Sequence, residues 1–358
     1  MLEEVRKKIN KVDEQLLKLI SERVELGKEV ALAKKGEDNI YFRPDREQEV
    51  LNRIQEINPG VLENGRVLNI FREIMSATLD IQHSLKIGYL GPAGSFTHQA
   101  AVKKFGHSLS LHLCKNFDDV FDLVQKKECN YGIIPIENST EGIVNATLDS
   151  LLKYDLNIIS EVHLTIHNNL LSYAKSFNEI QKIYSHPQAL GQCRNWIQAN
   201  LKHAEILEVA STSYAAQMVS ELKKSDSAAI SPALASTIYK LPIVAANIED
   251  YSKNYTRFIV ISSETARPAK FNRTSIIFSI SDKPGSLIET LKPVMEAGIN
   301  MTSIESRPSR SKAADYFFYV DLLGHSEQEP LKSTLAKIAD KTPFFRILGS
   351  YPVDQDLS

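Results

Sequence analysis

One arginine interrupts an otherwise apolar stripe. Val5, Ile9, Val12, Leu16, Leu19, Arg23, Leu26 and Val30 recur at spacings of four and three, the seam of a single long helix, and Arg23 holds one of its places. A cation on such a stripe calls for an anion. Lys34 follows eleven residues later, roughly 16 Å along nearly the same face, while Arg6 lies seventeen residues before Arg23, roughly 25 Å away. One small ligand cannot touch both arginines of a straight helix, so if both serve one site, Arg6 comes from a second subunit. The same spacing also suits a solvated coiled-coil face with incidental cations.

A second set of candidates follows strand-like runs. "GPAGSF" (91–96), "ENST" (137–140), "SHPQ" (185–188) and "STS" (211–213) each sit between an apolar run and a helical pattern. Backbone amides at helix N-termini attract anions, and ligands of open α/β sheets gather beyond the carboxyl ends of strands. Ser185 and His186 have the types of a nucleophile and a base, but adjacent residues in such a turn more often satisfy backbone groups. "NYTRFIVI" (254–261) ends in β-branched residues suited to a covered strand, yet begins with Asn254, Tyr255, Thr256 and Arg257.

The elements that must position these groups fall into three segments. The first is all helical: the long helix over 3–35, a break from Gly36 to Pro44 with Asp45 as cap, the helix "REQEVLNRIQEI", and a third from about Val61 to His83 whose stripe of Val67, Phe71 and Ile74 continues into Thr78 and Gln82. From Leu85, short apolar runs alternate with helical patterns, which predicts a mainly parallel sheet flanked by helices. After the polar stretch "ETARPAKFNR", the tail reads strand, helix, strand, strand, helix, strand, the ferredoxin-like order. The expected domains are 1–84, 86–263 and 274–352.

Across 358 residues, 43% hydrophobic and 24% charged, the net charge of −2 gives no electrostatic support for nucleic acid or an anionic membrane as partner, so small molecules are expected. The opening residues show no apolar signal core and no run approaches the ~20 apolar residues of a membrane span, which predicts a cytoplasmic protein. Cys114, Cys129 and Cys193 lack CxxC spacing, so free thiols are expected, with no disulfide, no metal and no cofactor.

"VRKKINKVDEQLLKLISERVELGKEVALAK" with "RPDREQEVL" resembles the all-α chorismate mutase family, the matching positions being Arg6, Arg23, Lys34, Arg46, Glu47, Thr78 and Gln82. The resemblance implies a homodimer in which Arg6 of one subunit and Arg23 of the other hold the carboxylates of chorismate. Lys34 and Gln82 would face its ether oxygen, and Glu47 a ring hydroxyl. That rearrangement to prephenate is intramolecular and needs only compaction and stabilised charge. Arg43 stands where some members carry an acidic residue, with Asp45 the nearest acid.

"GPAGSFTHQAA", "IPIENSTEGIVNATLDSLL", "YSHPQALGQCRNW" and "NYTRFIVI" resemble, in order and spacing, the prephenate dehydratase family. That implies two α/β lobes of the periplasmic-binding type with prephenate between them. Thr256 would assist hydroxide departure and Arg257 would take a substrate carboxylate. Ser95, Glu137, Asn138, Ser139, Thr140, Ser185, His186, Gln188, Ser211, Thr212 and Asn254 would line the cleft. "SISDKPGSLIETLKPVMEAGIN" and "MTSIESRPSR" resemble the ferredoxin-like, α+β ACT regulatory domain. Its implied ligand is phenylalanine, held by Gly285, Ser286, Leu287, Ile288, Asn300, Glu305, Ser306, Arg307 and Pro308 across a dimer interface; the alternative is a domain used only to dimerise.

Together these resemblances imply a bifunctional enzyme of phenylalanine biosynthesis that is feedback-inhibited by phenylalanine, the product of one site being the substrate of the other. A mutase joined to a prephenate dehydrogenase would need a dinucleotide fingerprint, which the sequence lacks. A sensor without turnover is the rival of a different class.

Overall fold

The structure, a computed structural model, describes residues 1–33, 40–281, 283–308 and 316–354. Three helices come first: α1 (Leu2–Ala33), α2 (Pro44–Ile57) and α3 (Asn64–Gln82). Pro44 stands at the start of α2, where its missing N–H costs nothing. Asp45 does not cap α2 as the sequence predicts. Its carboxylate lies inside the helix and takes a two-pronged contact from Arg43, at 3.0 and 2.7 Å. Gly27 lets α1 and α3 touch, since a Cβ there would meet the Thr78 methyl at 2.5 Å and Gln82 Nε2 at 2.9 Å.

The chain then builds two lobes. The first holds β1 (Lys86–Leu90), α4 (Phe96–Phe105), β2 (Ser110–Cys114), α5 (Phe117–Gln125), β3 (Tyr131–Asn138), β4 (Gly142–Ile143), α6 (Asn145–Lys153) and β5 (Asn157–Thr165). The second holds β6 (Asn169–Ser172), β7 (Lys182–Ser185), α7 (Pro187–Gln192), α8 (Arg194–Asn200), β8 (Glu205–Glu208), α9 (Thr212–Leu222), β9 (Ser227–Ser231), α10 (Ala233–Tyr239) and β10 (Ile243–Ala245). β11 (Tyr255–Ser262) then returns to the first lobe, between β3 and β5. The expected mainly parallel sheet is therefore two mixed sheets. β1 pairs in parallel with β2 and β3, but β11 runs antiparallel to both of its neighbours because the chain re-enters from the opposite lobe. In the second sheet, ordered β10-β6-β9-β7-β8, the pairs at the β6 side are antiparallel and those at the β7 side parallel.

The third segment runs β12 (Asn272–Ile280), α11 (Ser286–Glu296), β13 (Met301–Pro308), β14 (Tyr316–Leu323), α12 (Leu331–Ala339) and β15 (Phe344–Pro352), with sheet order β13-β14-β12-β15. This is the ferredoxin-like arrangement.

The segments are packed, not strung. Ile277, Tyr319, Leu348 and Tyr351 of the third sheet share one apolar core with Ile134, Ile158, Ile259 and Ile261 of the first lobe. β15 approaches β5 so closely that a side chain at Gly349 would strike the Ile158 carbonyl oxygen. On the other side Phe42, ahead of α2, is buried among Phe105, Tyr131 and Ile133, and its N–H donates to the Tyr131 hydroxyl at 3.1 Å. No helix among the described residues is long and apolar enough to cross a membrane.

Candidate active sites

The helical segment encloses a pocket of about 340 Å³. Arg23, Arg46, Glu47, Thr78 and Gln82, spread over three helices, all line it. Arg23 Nη1 donates to Thr78 Oγ1 at 3.3 Å, and burial pulls the guanidinium below its ordinary pKa. Thr78 in turn donates to the Ile74 carbonyl at 2.7 Å, so its hydroxyl oxygen is aimed at Arg23. Lys34 lies outside the described residues. Arg6 is exposed on α1 and lines no part of this pocket.

Lys104, on α4 of the first lobe, also lines this pocket, and its Nζ donates to Glu47 Oε2 at 2.7 Å. Phe105 and Leu109 join it there. Sequence reasoning missed these residues, because a lysine in "AVKKF" reads as an ordinary helix-end cation and nothing local says which surface it will meet.

Between the two lobes lies a cleft of about 400 Å³. Asn138, His186, Gln188, Ser211, Thr212, Asn254 and Thr256 line it. The Asn138 side chain organises its floor. Its Oδ1 accepts from the backbone N–H of Thr140 at 3.0 Å and of Glu141 at 3.1 Å, and from Thr140 Oγ1 at 2.6 Å, which fixes the amide orientation. Its Nδ2 then donates to Thr256 Oγ1 at 2.8 Å and to Asn254 Oδ1 at 3.1 Å. Since Thr256 accepts there, its own hydroxyl proton is left to point elsewhere.

Other expected residues are spent on structure. Ser95 caps α4, accepting from the His98 N–H at 3.2 Å, and Ser211 caps α9 in the same way at 3.1 Å while still facing the cleft. Ser185 is fully buried and donates to the Ile230 carbonyl at 2.7 Å, while His186 Nδ1 accepts from the Gln188 N–H at 3.3 Å. Neither forms a nucleophile–base pair with the other. Ser139 Oγ donates to Asn254 Oδ1 at 3.2 Å, and Thr140 is held by Asn138.

Arg257 and Glu137 require a correction, because neither lines the cleft. Side chains alternate along a strand, so with Thr256 facing the cleft Arg257 must face the other side. There it is 1% exposed and pairs with Glu137 at 3.0 Å, Glu161 at 3.4 Å and Asp321 of β14 at 2.7 Å. Arg273 of β12 adds contacts to Glu161 at 3.2 Å and Asp321 at 3.5 Å. Burial alone would raise the Asp321 carboxyl, but Arg257 and Arg273 outweigh it and hold it below the usual carboxylate range.

The described residues lining the cleft include no lysine or arginine. Its anion-attracting groups are instead the N-terminal ends of α4, α6 and α9, which bring Phe96, Thr97, Val144, Ser211 and Thr212 to the wall. Two buried polar atoms there have no protein partner: Asn254 Nδ2, a donor, and Asn168 Oδ1, an acceptor. Asn168 was not foreseen, since a strand-flanking "HNN" has no distinctive spacing.

In the third segment Gly285, at φ +83°, turns the chain into α11 and leaves Ser286 and Ile288 at the open start of that helix. The register Ile280–Tyr316–Pro308 puts this turn and the Glu305–Pro308 stretch at the same end of the sheet. Asn300 precedes the other end of β13, roughly 25 Å away, so one chain does not assemble the whole expected set. Arg307 holds Asp149 of α6 at 2.8 and 3.0 Å.

His163 sits beside the Arg257 cluster, its backbone N–H donating to Asp354 at 2.7 Å while its ring Nδ1 lies 3.8 Å from the same carboxylate. Burial, with Arg257, Arg273 and Lys103 adding and Asp354 opposing, pushes its pKa down to about 4. The unfolded chain, with an ordinary value of about 6.5, then binds the proton more readily, so this contribution to stability is complete above about pH 6.5 and is lost as pH falls towards 4. Thermal melting of the wild type should therefore fall across that window more steeply than melting of His163→Asn. Parallel curves would contradict the assignment.

Comparison with known proteins divides the chain as the geometry does. The chorismate mutase type II family model matches residues 5–83, the prephenate dehydratase model 87–266 and the ACT domain model 274–340. The bifunctional chorismate mutase/prephenate dehydratase of Aquifex aeolicus is 41% identical over 355 residues, 98% of each chain. That of Pseudomonas aeruginosa is 42% identical over 357 residues, 98% of this chain and 97% of the other. The crystal structure of an Arthrobacter aurescens prephenate dehydratase in complex with L-Phe superposes with a TM-score of 0.70 at 31% identity, covering 75% of this chain and 90% of that one. With its helical pocket, its two-lobed cleft and its third sheet all in that order, the chain belongs to the family of bifunctional chorismate mutase/prephenate dehydratases.

Proposed function

We propose that the helical pocket rearranges chorismate to prephenate and that the cleft converts prephenate to phenylpyruvate, carbon dioxide and water. The observation that carries the second step is the Asn138–Thr256 contact, which leaves the threonine proton available for donation. The ring carboxylate leaves as carbon dioxide, and its bonding pair enters the ring as it becomes aromatic, while the side-chain carboxylate is retained in phenylpyruvate. The ring C–O pair departs on oxygen, and the proton from Thr256 makes that oxygen water. Threonine is too weakly acidic to act alone, so its proton is returned from solvent or a relay. The amides of α4, α6 and α9 receive the carboxylates in place of the expected Arg257.

In the mutase pocket Arg23 takes a carboxylate, Gln82 and Lys34 the ether oxygen, and Arg46, Glu47 and Thr78 complete the lining. Arg6 belongs to the pocket of a second subunit. That reading is supported by α1, which has no buried residue and exposes Val5, Ile9, Val12, Leu16, Leu19 and Leu26 along one side. A homodimer would cover this stripe and bring Arg6 across. Neither reaction calls for a metal or cofactor, and three buried free cysteines suit a cytoplasmic, reducing location.

Purified protein given prephenate should yield phenylpyruvate without nicotinamide. Unchanged prephenate would favour the sensor reading.

Phenylalanine is proposed as the ligand of the third segment, its carboxylate or ammonium group met at the Gly285–Ile288 turn and the Glu305–Pro308 stretch. At a hundredfold excess over its Kd, a ligand of the folded state adds about 2.7 kcal/mol of stability. Saturating phenylalanine should accordingly raise the melting temperature and lower dehydratase turnover; no change in either would remove this part of the reading.

A further inference from the structure

The two faces of β11 serve two different sheets. On the cleft face Thr256 lies directly across from Asn138 of β3, and on the opposite face the next residue, Arg257, lies directly across from Glu137. The same pair of strands thus presents the hydroxyl and its amide partner to the cleft, and a guanidinium and a carboxylate to the third segment. Arg257 is not held by its own sheet alone. Asp321, with no side-chain exposure, reaches it from β14 at 2.7 Å, the shortest of its three ion-pair contacts. Asp321 is itself fixed by Ser275 Oγ at 2.5 Å, and that hydroxyl contacts the Tyr351 hydroxyl at 2.7 Å and the Tyr319 hydroxyl at 3.1 Å. All of these partners belong to the third sheet and are buried.

We propose that Asp321 is a positioning residue for the dehydratase reaction: by anchoring Arg257 from the regulatory segment, it sets the rotation of β11 and hence the direction in which Thr256 presents its hydroxyl. This rests on Thr256 being the proton donor. The geometry leaves little slack. Thr256 and Arg257 are joined by one rigid peptide unit, and the pairing of β11 with β3 shifts register immediately after Arg257, so a turn of the guanidinium has a ready place to distort the strand. Without Asp321, Arg257 keeps only Glu137 and Glu161 as carboxylate partners, both in its own sheet, and is drawn towards them.

The test uses the full-length enzyme and reads both activities from each preparation. Asp321→Asn keeps the side-chain volume and removes the charge. Arg257→Met with Asp321→Leu replaces the inter-sheet pair by apolar groups and leaves Glu161 with Arg273, so that no fully buried carboxylate is stranded, the condition under which buried ion pairs are often replaced without loss of stability. The ratio of dehydratase to mutase turnover cancels differences in folded fraction. In both variants that ratio should fall about tenfold with the KM for prephenate kept within about twofold, the signature of a misdirected group in an intact cleft. A wild-type ratio in the double variant overturns the proposal. A raised KM accompanying the loss also overturns it, because the cluster would then be a staple holding the third segment on the first lobe and shaping the cleft only through that packing. Thr256→Val separates the premises: if that variant keeps its dehydratase activity, the reading of the cleft fails, whereas an inert Thr256→Val beside fully active Asp321 variants fails this inference alone.

Discussion

Thr256→Val is expected to lower dehydratase turnover by on the order of a hundredfold or more while leaving mutase turnover within about twofold. Valine matches threonine in shape, so at this buried strand position the change removes one hydroxyl and little else. Asn138 Nδ2 loses one of its acceptors but keeps Asn254 Oδ1, so the floor of the cleft should persist. Prephenate should then bind nearly as before and fail to lose its hydroxide. Measuring kcat and KM for prephenate beside mutase turnover decides the matter. A variant that still makes phenylpyruvate at the wild-type rate would take the proton-donor role from Thr256, and loss of both activities would indicate misfolding.

The reciprocal change, Arg23→Ala, is expected to cost the mutase roughly a hundredfold or more in kcat/KM and to spare the dehydratase. A charge-assisted contact to a carboxylate in a half-buried pocket is worth several kcal/mol when one partner is truncated. Arg23 also donates to Thr78, so its removal frees that hydroxyl on the pocket wall. Arg23→Lys should recover part of the loss, because it restores charge without the planar fork. Equal losses in both reactions would indicate that the sites are not independent.

How much of this was legible in the sequence depended on range. The α1 seam, the βα alternation and the ferredoxin-like tail rest on local periodicity, and they appear where the pattern put them, within a few residues at the ends. The sense of β11 was not local. "NYTRFIVI" reads as a strand, but its antiparallel pairing follows from a crossing between lobes that no window of sequence records. Arg257 is the instructive case. Period-two alternation alone states that Thr256 and Arg257 cannot share a face, so assigning both to one cleft conflicted with elementary geometry. What alternation could not supply was the destination of Arg257, since Asp321 is sixty-four residues away in "YFFYVDLL", where an acidic residue in an apolar run looks like a solvent-facing position. It is wholly buried. Lys104 escaped for a related reason, because its partner Glu47 lies in another segment.

The adjacency of Thr256 and Arg257 also constrains how this chain can change over time. Their separation is one peptide unit, about 3.3 Å along the strand. A single-residue insertion or deletion within the paired strand would exchange the two faces of the residues beyond it, sending the guanidinium towards the cleft and the hydroxyl towards the buried carboxylates. Such an event would strike the reaction and the inter-sheet anchor together, so length variation belongs in the loop before Asn254, and substitution, not slippage, is the route by which this strand can be altered.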